Sequence, residues 1–204
     1  MVTTHTRRGV LSAATAATAA LAGCNVLPEQ DNEPVVATAE TPAALPESDE
    51  YTLLSAENVT VETTIDVDLT GDVQISSQQD VTATVFRRVY EAGDGQRFGV
   101  LTSPAVTVVD QPEIVRDPLT GLKTARVLGL ATNYDVESVE GWRTDGSVTL
   151  LGTETTHNRT TGAAGGTDTT FVMARVRAGD DSVTAIATDP DNWTPPFGAV
   201  ERDA

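Results

Sequence analysis

The stretch 59–67, Val-Thr-Val-Glu-Thr-Thr-Ile-Asp-Val, decides the fold class of this chain of 204 residues. Apolar or small side chains at the odd positions alternate with polar or acidic ones at the even positions. Successive side chains of a strand point to opposite faces, so the alternation predicts a β-strand with one buried and one solvated face. Residues 69–72 follow with turn chemistry, and Gly71 can adopt the positive φ that a tight turn needs.

Two further strands extend this pattern. Residues 73–90 and 97–109 contain more apolar alternation, and the turn segment 92–95 separates them. Pro104 interrupts the later strand. Because proline cannot donate to a ladder hydrogen bond, it predicts an edge strand or a bulge at that point.

One helix is predicted after these strands. Asp117 is placed to cap its first turn, and Pro118 occupies the first helical position. The apolar residues keep helical spacing up to about Thr132, although Gly121 and Gly129 weaken the helix. Those apolar residues are Leu119, Leu122, Leu128 and Leu130.

The remainder of the chain reads as short strands and turns. Strands are predicted at 136–142, 148–156, 170–176 and 183–187. The stretch 162–166 is predicted to be a loop, 178–181 a hairpin turn, and the tail from Pro190 irregular. Runs of strands interrupted by one helix predict a single α+β domain over residues 51–204, mainly an antiparallel β-sheet with one main helix packed on one face.

Residues 24–50 are predicted to be a modified cysteine followed by a disordered linker. Four prolines between Pro28 and Pro46 interrupt any helix, and seven acidic residues make the segment repel itself. Charged, proline-containing linkers extend, so the segment would hold the domain away from its attachment point.

Residues 1–23 have the features of an export signal. The hexapeptide Thr-Arg-Arg-Gly-Val-Leu, which contains Arg7 and Arg8, resembles the twin-arginine export motif. The uncharged run 10–22 is shorter than the roughly 20 residues that span a bilayer. A basic start, a short apolar run and small residues at its end are typical of a signal peptide rather than of a membrane helix.

The end of this segment resembles a lipobox, formed by Leu21, Ala22, Gly23 and Cys24. The resemblance implies that Cys24 becomes the lipidated first residue of the mature protein, held at the outer side of the cell membrane. Two acyl chains on one cysteine anchor stably, whereas one gives marginal binding. The alternative is an ordinary cysteine with a signal peptidase cutting nearby.

The composition predicts that the protein is adapted to concentrated salt. The net charge is −17, and removing residues 1–23, with two arginines and no acid, leaves −19. Lys123 is the only lysine, and large hydrophobic residues are sparse. Such charge opposes folding by self-repulsion, which molar salt screens within about 3 Å. Intrinsic disorder is the competing interpretation, but it does not fit the alternating apolar strands. No basic patch exists to neutralise phosphates, so nucleic acid is excluded as a partner.

Two segments resemble a family of haloarchaeal, twin-arginine-exported lipoproteins of unknown function. They are 99–106, Gly-Val-Leu-Thr-Ser-Pro-Ala-Val, and 150–155, Leu-Leu-Gly-Thr-Glu-Thr. The resemblance spans about 51–187 and implies a small surface-anchored domain without assigned catalytic residues. The long acidic linker and the weak helix depart from that family. By fold analogy alone, the domain is also similar to the Mog1/PsbP type of sandwich.

Few residues in the predicted mature chain can carry chemistry. His157 is its only histidine and Cys24 its only cysteine, which excludes a Cys/His zinc site in one chain. No Gly-x-Ser-x-Gly turn presents a nucleophile that His157 could activate. His157 stands at the polar end of a predicted strand, beside Asn158-Arg159-Thr160, and is predicted to be an exposed loop residue. No catalytic residue, metal or cofactor is predicted.

Pairs of carboxylates are the remaining candidates for a metal site. They are Asp66 with Asp68, Asp180 with Asp181, and Asp189 with Asp191. A calcium loop needs regularly spaced oxygen ligands closed by a glutamate, which none of these segments has. We therefore interpret the pairs as part of an acidic, salt-solvating surface.

Three Asn-x-Thr sequences match the N-glycosylation pattern, at Asn58, Asn158 and Asn192. Asn158 and Asn192 fall in predicted loops and are the better candidates. Asn58 opens a predicted strand, where packing would hinder modification.

The sequence leaves two functions open. The first is a membrane-anchored extracellular module without catalytic activity, which binds a ligand or serves as an accessory subunit of an envelope protein complex. The second is a carboxylate- or Ca²⁺-dependent surface hydrolase. A pocket that gathers carboxylates with perturbed pKa values would favour the second, and an exposed apolar patch would favour a protein partner.

Overall fold

The computed structural model describes residues 33–69, 75–108 and 111–203. Its strands are β1 (Val35–Thr38), β2 (Ala43–Ala44), β3 (Thr52–Leu69), β4 (Ile75–Glu91), β5 (Arg97–Pro104), β6 (Val106–Val108), β7 (Gln111–Arg116), β8 (Val136–Val139), β9 (Arg143–Leu150), β10 (Thr153–Ala164), β11 (Thr167–Ala178), β12 (Asp181–Thr188) and β13 (Glu201–Arg202). The helix α1 is Thr124–Thr132, and short 3₁₀ turns occupy Gly93–Gly95, Pro118–Gly121, Pro190–Asn192 and Phe197–Ala199. None of the helices within these ranges is long and apolar enough to cross a membrane.

Nine strands form one curled sheet, and its seven longest strands follow the order β3-β4-β5-β12-β11-β10-β9. The short strands β1 and β8 continue the rows of β5 and β9, because β1 pairs with β4 and β8 with β10. Every pairing in this sheet is antiparallel except that of β1 with β4. The predicted α+β domain with a mainly antiparallel sheet is therefore confirmed.

One face of the sheet packs against α1. Leu128 and Ala131 of the helix are fully buried against the strands, where Leu101, Phe171 and Ile186 belong to the same core cluster. The helix lies very close to β5. A Cβ added to Gly99 would lie 1.8 Å from the carbonyl oxygen of Ala131, so only glycine fits there.

The predicted helix from Asp117 to Thr132 consists of two shorter pieces. The Oδ1 atom of Asp117 accepts a hydrogen bond of 2.9 Å from the Leu119 N–H, which confirms the predicted cap, but it caps a 3₁₀ turn. Gly121 ends that turn against β3, where a Cβ would lie 2.3 Å from Thr63 Oγ1. The α-helix α1 then starts separately, after Lys123.

The second face of the sheet is covered as well, by the segments that come before β3 and after β12 in the sequence. Ala43 and Leu45 from one end, and Phe197 and Val200 from the other, are buried in a core cluster with Phe98. The last strand, β13, pairs with β2 above this face.

The predicted linker up to residue 50 is therefore wrong from Val35 onward. Strand β1 pairs with residues 81–84 of β4, and the Leu45 N–H donates a 3.0 Å hydrogen bond to Tyr90 Oη. Such interactions with distant strands leave no periodic signal in a short, proline-containing segment, and for that reason the sequence did not reveal them.

Three other predictions need correction. Strand β5 lies between β4 and β12, so Pro104 marks the end of a central strand, not an edge strand. The single strand predicted at 148–156 is the junction of β9 and β10, which turn at Leu151 and Gly152 with φ of 51° and 73°. The predicted loop 162–166 is strand up to Ala164.

Candidate functional site

A groove of about 690 Å³ runs between α1, β3 and β8. Its walls carry side chains of both charges beside apolar ones. The lining residues are Glu57, Val59, Arg87, Lys123, Ala125, Arg126, Gly129, Leu130, Asn133, Tyr134, Asp135, Val136 and Glu137.

Arg87 forms part of the groove wall and is 6 % exposed. Its guanidinium donates hydrogen bonds to the Leu130 carbonyl oxygen, to Ser55 Oγ at 3.0 Å and to Asn133 Oδ1 at 2.6 Å. It also forms an ion pair of 3.0 Å with Glu57. A cation at the carboxyl end of a helix interacts favourably with the helix dipole, so Arg87 fixes the end of α1 to strands β3 and β4.

The helix ends because Asn133 adopts the left-handed conformation, with φ of 65°. Its N–H closes the last turn on the Gly129 carbonyl, and its side chain accepts from Arg87. The following residue, Tyr134, donates to the Gly95 carbonyl at 3.0 Å, and Arg97 lies 5.7 Å above the centre of its ring. These contacts fix the segment between α1 and β8, which forms one wall of the groove.

The rim of the groove has an unusual charge balance for this chain. Lys123 and Arg126 are exposed at the start of α1, and Asp135 and Glu137 are exposed at the start of β8. Together with Arg87 and Glu57, three basic and three acidic side chains line the groove. The groove is formally neutral in a chain whose net charge is −17.

His157 was predicted to lie in an exposed loop, and this prediction is wrong. It lies on β10, its side chain is 16 % exposed, and its Nε2 is 3.5 Å from Asp145 Oδ2. Its Nδ1 is buried without a hydrogen-bond partner among the described residues. The Arg159 guanidinium, which donates to Asp145 at 2.7 Å, is the main cause that lowers the pKa of that carboxyl. No hydroxyl of a described residue is hydrogen-bonded to His157, so the pair lacks the nucleophile that a hydrolytic triad needs.

The predicted pairs of carboxylates do not converge on a metal site. Asp181 is 1 % exposed and binds backbone N–H groups and Arg202, whereas its neighbour Asp180 is exposed. Asp66 accepts from Gln78, and Asp191 forms an ion pair with Arg159. Within the described ranges no three His, Cys, Asp or Glu side chains are placed to hold a metal ion.

The three glycosylation sequences occupy different environments. Asn192 is exposed in the turn Pro190–Asn192, in the irregular region that the sequence predicted. Asn158 lies on β10 instead of in a loop, is half-buried and accepts a 3.3 Å hydrogen bond from Thr144. Asn58 lies on β3 and is exposed, so the packing expected around it is absent.

The predicted signal and lipidation residues lie outside the described residues. They are Arg7, Arg8, Leu21, Ala22, Gly23 and Cys24.

The residues of the groove were not identified from the sequence, although one signal was present. The inward-facing positions of β4 are Val81, Ala83, Val85 and Val89, and Arg87 occupies the same parity. A charged residue at a core-facing position of a strand needs a partner, and here the partner is the end of a helix.

Comparison with known proteins gives a family but no activity. A family model described as "Domain of unknown function (DUF6517)" matches residues 38–204. The match agrees with the expected membership of a family without assigned function, and it includes the segment 39–50 that was predicted to be linker. No similar curated protein and no similar solved structure was found.

Proposed function

This chain belongs to the DUF6517 family, and we propose that it is a non-catalytic binding or accessory module on the outer side of the cell membrane of a halophilic archaeon. In this proposal the twin-arginine signal exports the chain, and Cys24 anchors it by its lipid. The likeness to haloarchaeal lipoproteins and to Mog1/PsbP-type sandwiches is part of the same proposal.

The observation that carries the binding role is the groove beside α1. It is large enough for a segment of a partner, since ligand pockets are commonly 300–1,000 Å³. Elsewhere the acidic surface would repel other acidic envelope proteins, whereas in the groove bases and acids balance. Lys123 and Arg126 form no ion pair with any described residue, so they are available to a partner.

The alternative of a carboxylate-dependent hydrolase is not advanced, because no described feature favours it. Glu57 is held by Arg87, and the carboxyl whose pKa is lowered, Asp145, does not line the groove. If the purified domain hydrolysed ester or glycoside substrates, and if Glu57→Gln abolished that activity, the binding role would have to be abandoned.

The anchor is tested by Cys24→Ser in a halophilic archaeal host. We expect the wild-type protein to sediment with membranes and to carry the mass of a lipid. The variant should appear in the medium or remain unprocessed. Unchanged membrane retention and mass in the variant would refute the anchor, without bearing on the groove.

The groove is tested by attaching a photoreactive cross-linker to the amine of Lys123, the only lysine in the chain, through an imidoester, which keeps the positive charge. Irradiation of intact cells in high salt should give one discrete adduct. Lys123→Arg keeps the charge but removes the amine, so it corrects for labelling at the chain terminus. A matched variant, Arg126→Glu, should weaken the adduct by reversing one charge of the groove rim. If Arg126→Glu leaves the adduct unchanged, or if no adduct depends on Lys123, the groove is not the binding surface.

The halophilic origin has its own test. Because molar salt screens the repulsion among the acidic side chains, the thermal midpoint should fall when the salt is diluted. An equal midpoint in dilute buffer and in molar KCl would contradict it.

A further inference from the structure

A second, smaller cavity lies on the other side of α1, between the turn Pro118–Gly121 and strand β11. Its volume is about 210 Å³. It is lined by Leu119, Thr120, Leu122, Thr124, Val127, Trp142, Met173 and Arg175. None of these residues lines the groove described above, so the two sites are separate.

The walls of this cavity are mostly apolar. Leu119 and Val127 are buried in the core, and Leu122, Trp142 and Met173 pack against the same cluster while remaining partly exposed. An indole ring and a thioether are both good contacts for a flat apolar group, because sulfur and aromatic edges attract ring systems. Thr120 at the rim is exposed, so the cavity opens to solvent there.

Arg175 is the one charged residue of the lining, and contacts at its Nε atom fix its position. Its Nε donates to Thr184 Oγ1 at 2.8 Å and lies 3.2 Å from Asp117 Oδ2. Asp117 is itself held, because its Oδ1 accepts from Ser103 Oγ and from the Leu119 N–H. The guanidinium is therefore oriented before any ligand arrives.

The two terminal nitrogens of Arg175 have no such partners. Neither donates a hydrogen bond to a described residue, and neither is among the buried atoms that lack a partner. The side chain as a whole is 27 % exposed. The cavity thus presents an oriented guanidinium fork beside apolar walls, and such a fork matches the two oxygens of a carboxylate.

The volume limits the apolar part of a ligand. An engineered apolar cavity of about 150 Å³ holds one benzene molecule. The cavity here is larger than that, so one ring and an attached carboxylate fit within about 210 Å³. A fatty acid or a nucleotide is too large to lie wholly within this volume and would extend out past Thr120.

We propose that this cavity binds a small monoanion with one ring-sized apolar body, of the aryl carboxylate class. The apolar body contacts Trp142 and Met173, and the carboxylate accepts hydrogen bonds from the terminal nitrogens of Arg175. The site is independent of the groove, so it can exist whether or not the groove binds a partner.

Isothermal titration of the full chain with benzoate, in the high-salt buffer that keeps the protein folded, tests this site. Benzamide is the matched neutral probe, since it has the same ring and nearly the same volume. We expect benzoate to bind at least about tenfold more tightly than benzamide, because one charge-assisted hydrogen bond suffices for that ratio. Equal binding of the two probes, or no saturable binding of benzoate up to about 10 mM, would overturn the proposal.

Variants then assign the binding to Arg175. Arg175→Lys keeps the positive charge beside Asp117 but removes the fork, so benzoate affinity should fall about tenfold while benzamide affinity stays the same. Arg177→Lys, two residues along β11 and exposed, is the control and should change neither. A filled cavity, in Thr124→Phe, should abolish binding of both probes. If Arg175→Lys binds benzoate as tightly as the wild type does, Arg175 does not hold the carboxylate and the proposed site is wrong.

Discussion

Replacing Asp181 by asparagine should release the chain segments that cover the second face of the sheet. Asp181 begins β12 and is 1 % exposed. Its carboxylate accepts hydrogen bonds from the backbone N–H groups of Glu40, at 2.9 Å, and of Thr41, at 3.1 Å. Arg202 of β13 donates to the same carboxylate and to the Thr41 carbonyl. One buried charge therefore ties both ends of the domain to the β11–β12 hairpin.

The size of the effect follows from these contacts. Two of the three bonds end on Oδ2, so an asparagine oxygen in that place keeps the bonds from Thr41 and Arg202 without their full charge assistance. Its amide then faces the Glu40 N–H, and that bond, worth about 1.5–3 kcal/mol, is lost. Arg202 is 26 % exposed, and water recovers part of its solvation once its partner is neutral. We therefore expect Asp181→Asn to lower the free energy of unfolding by about 3–4 kcal/mol, a large part of the 5–15 kcal/mol typical of domains.

Urea denaturation at constant high salt measures this loss, and hydrogen exchange locates it. Protection should fall first at residues 40–45 and 200–203, because these segments depend on Asp181. Asp180→Asn, at the exposed neighbouring position, is the matched control and should change stability by less than about 0.5 kcal/mol. If the two variants unfold at the same urea concentration, Asp181 does not hold these segments and the reasoning fails.

Three further predictions concern single side chains. Arg87→Leu should destabilise the protein by about 2–4 kcal/mol, because it leaves the end of α1 without its buried partner, whereas Arg88→Leu, which loses a more exposed ion pair, should cost less than about 1 kcal/mol in the same urea assay. Burial raises the pKa of Tyr90, so its neutral form contributes stability below pH of about 10 that is lost as the pH rises through the folded pKa; burial also raises the pKa of Tyr51, so phenolate absorbance should show two tyrosines titrating late, and Tyr90→Phe should remove one of them. Of the three glycosylation sequences, the exposed turn position should be the one used in an archaeal host, so Asn192→Gln should reduce the mass of the exported protein by that of one glycan, and an unchanged mass would exclude it.

The central strands were predictable because each has one buried and one solvated face. In β3 the alternation from Val59 to Ile65 corresponds to buried or half-buried and exposed side chains in turn. The hairpin of β11 and β12 was equally visible, since Gly179 adopts φ of 65° at the turn between two apolar runs. Local chemistry determined these elements, so local sequence was enough to identify them.

Other elements depend on contacts that no local pattern reports. The turn between β9 and β10 places Leu151, a residue without turn preference, at φ of 51°. Strand β2 consists of two alanines, and it exists because the Ala43 N–H reaches Thr102 Oγ1 at 3.0 Å and because β13 pairs with it. In both places tertiary structure overrides the intrinsic preferences of the residues.

The groove could be anticipated only in part, and the reason lies in the composition. In an acid-rich chain each basic side chain has many possible partners, so a base without an ion pair is informative. Six arginines of the described residues form ion pairs: Arg87, Arg88, Arg97, Arg159, Arg175 and Arg202. Lys123 and Arg126 form none within the described part of the chain, and neither do Arg116, Arg143 and Arg177. Of these five bases only Lys123, just before α1, and Arg126, in its first turn, line the groove. Glu57, Asp135 and Glu137 line the same groove, yet none of them forms an ion pair with either cation. The sequence shows these two bases to be scarce, and the fold places them side by side where a partner can reach them.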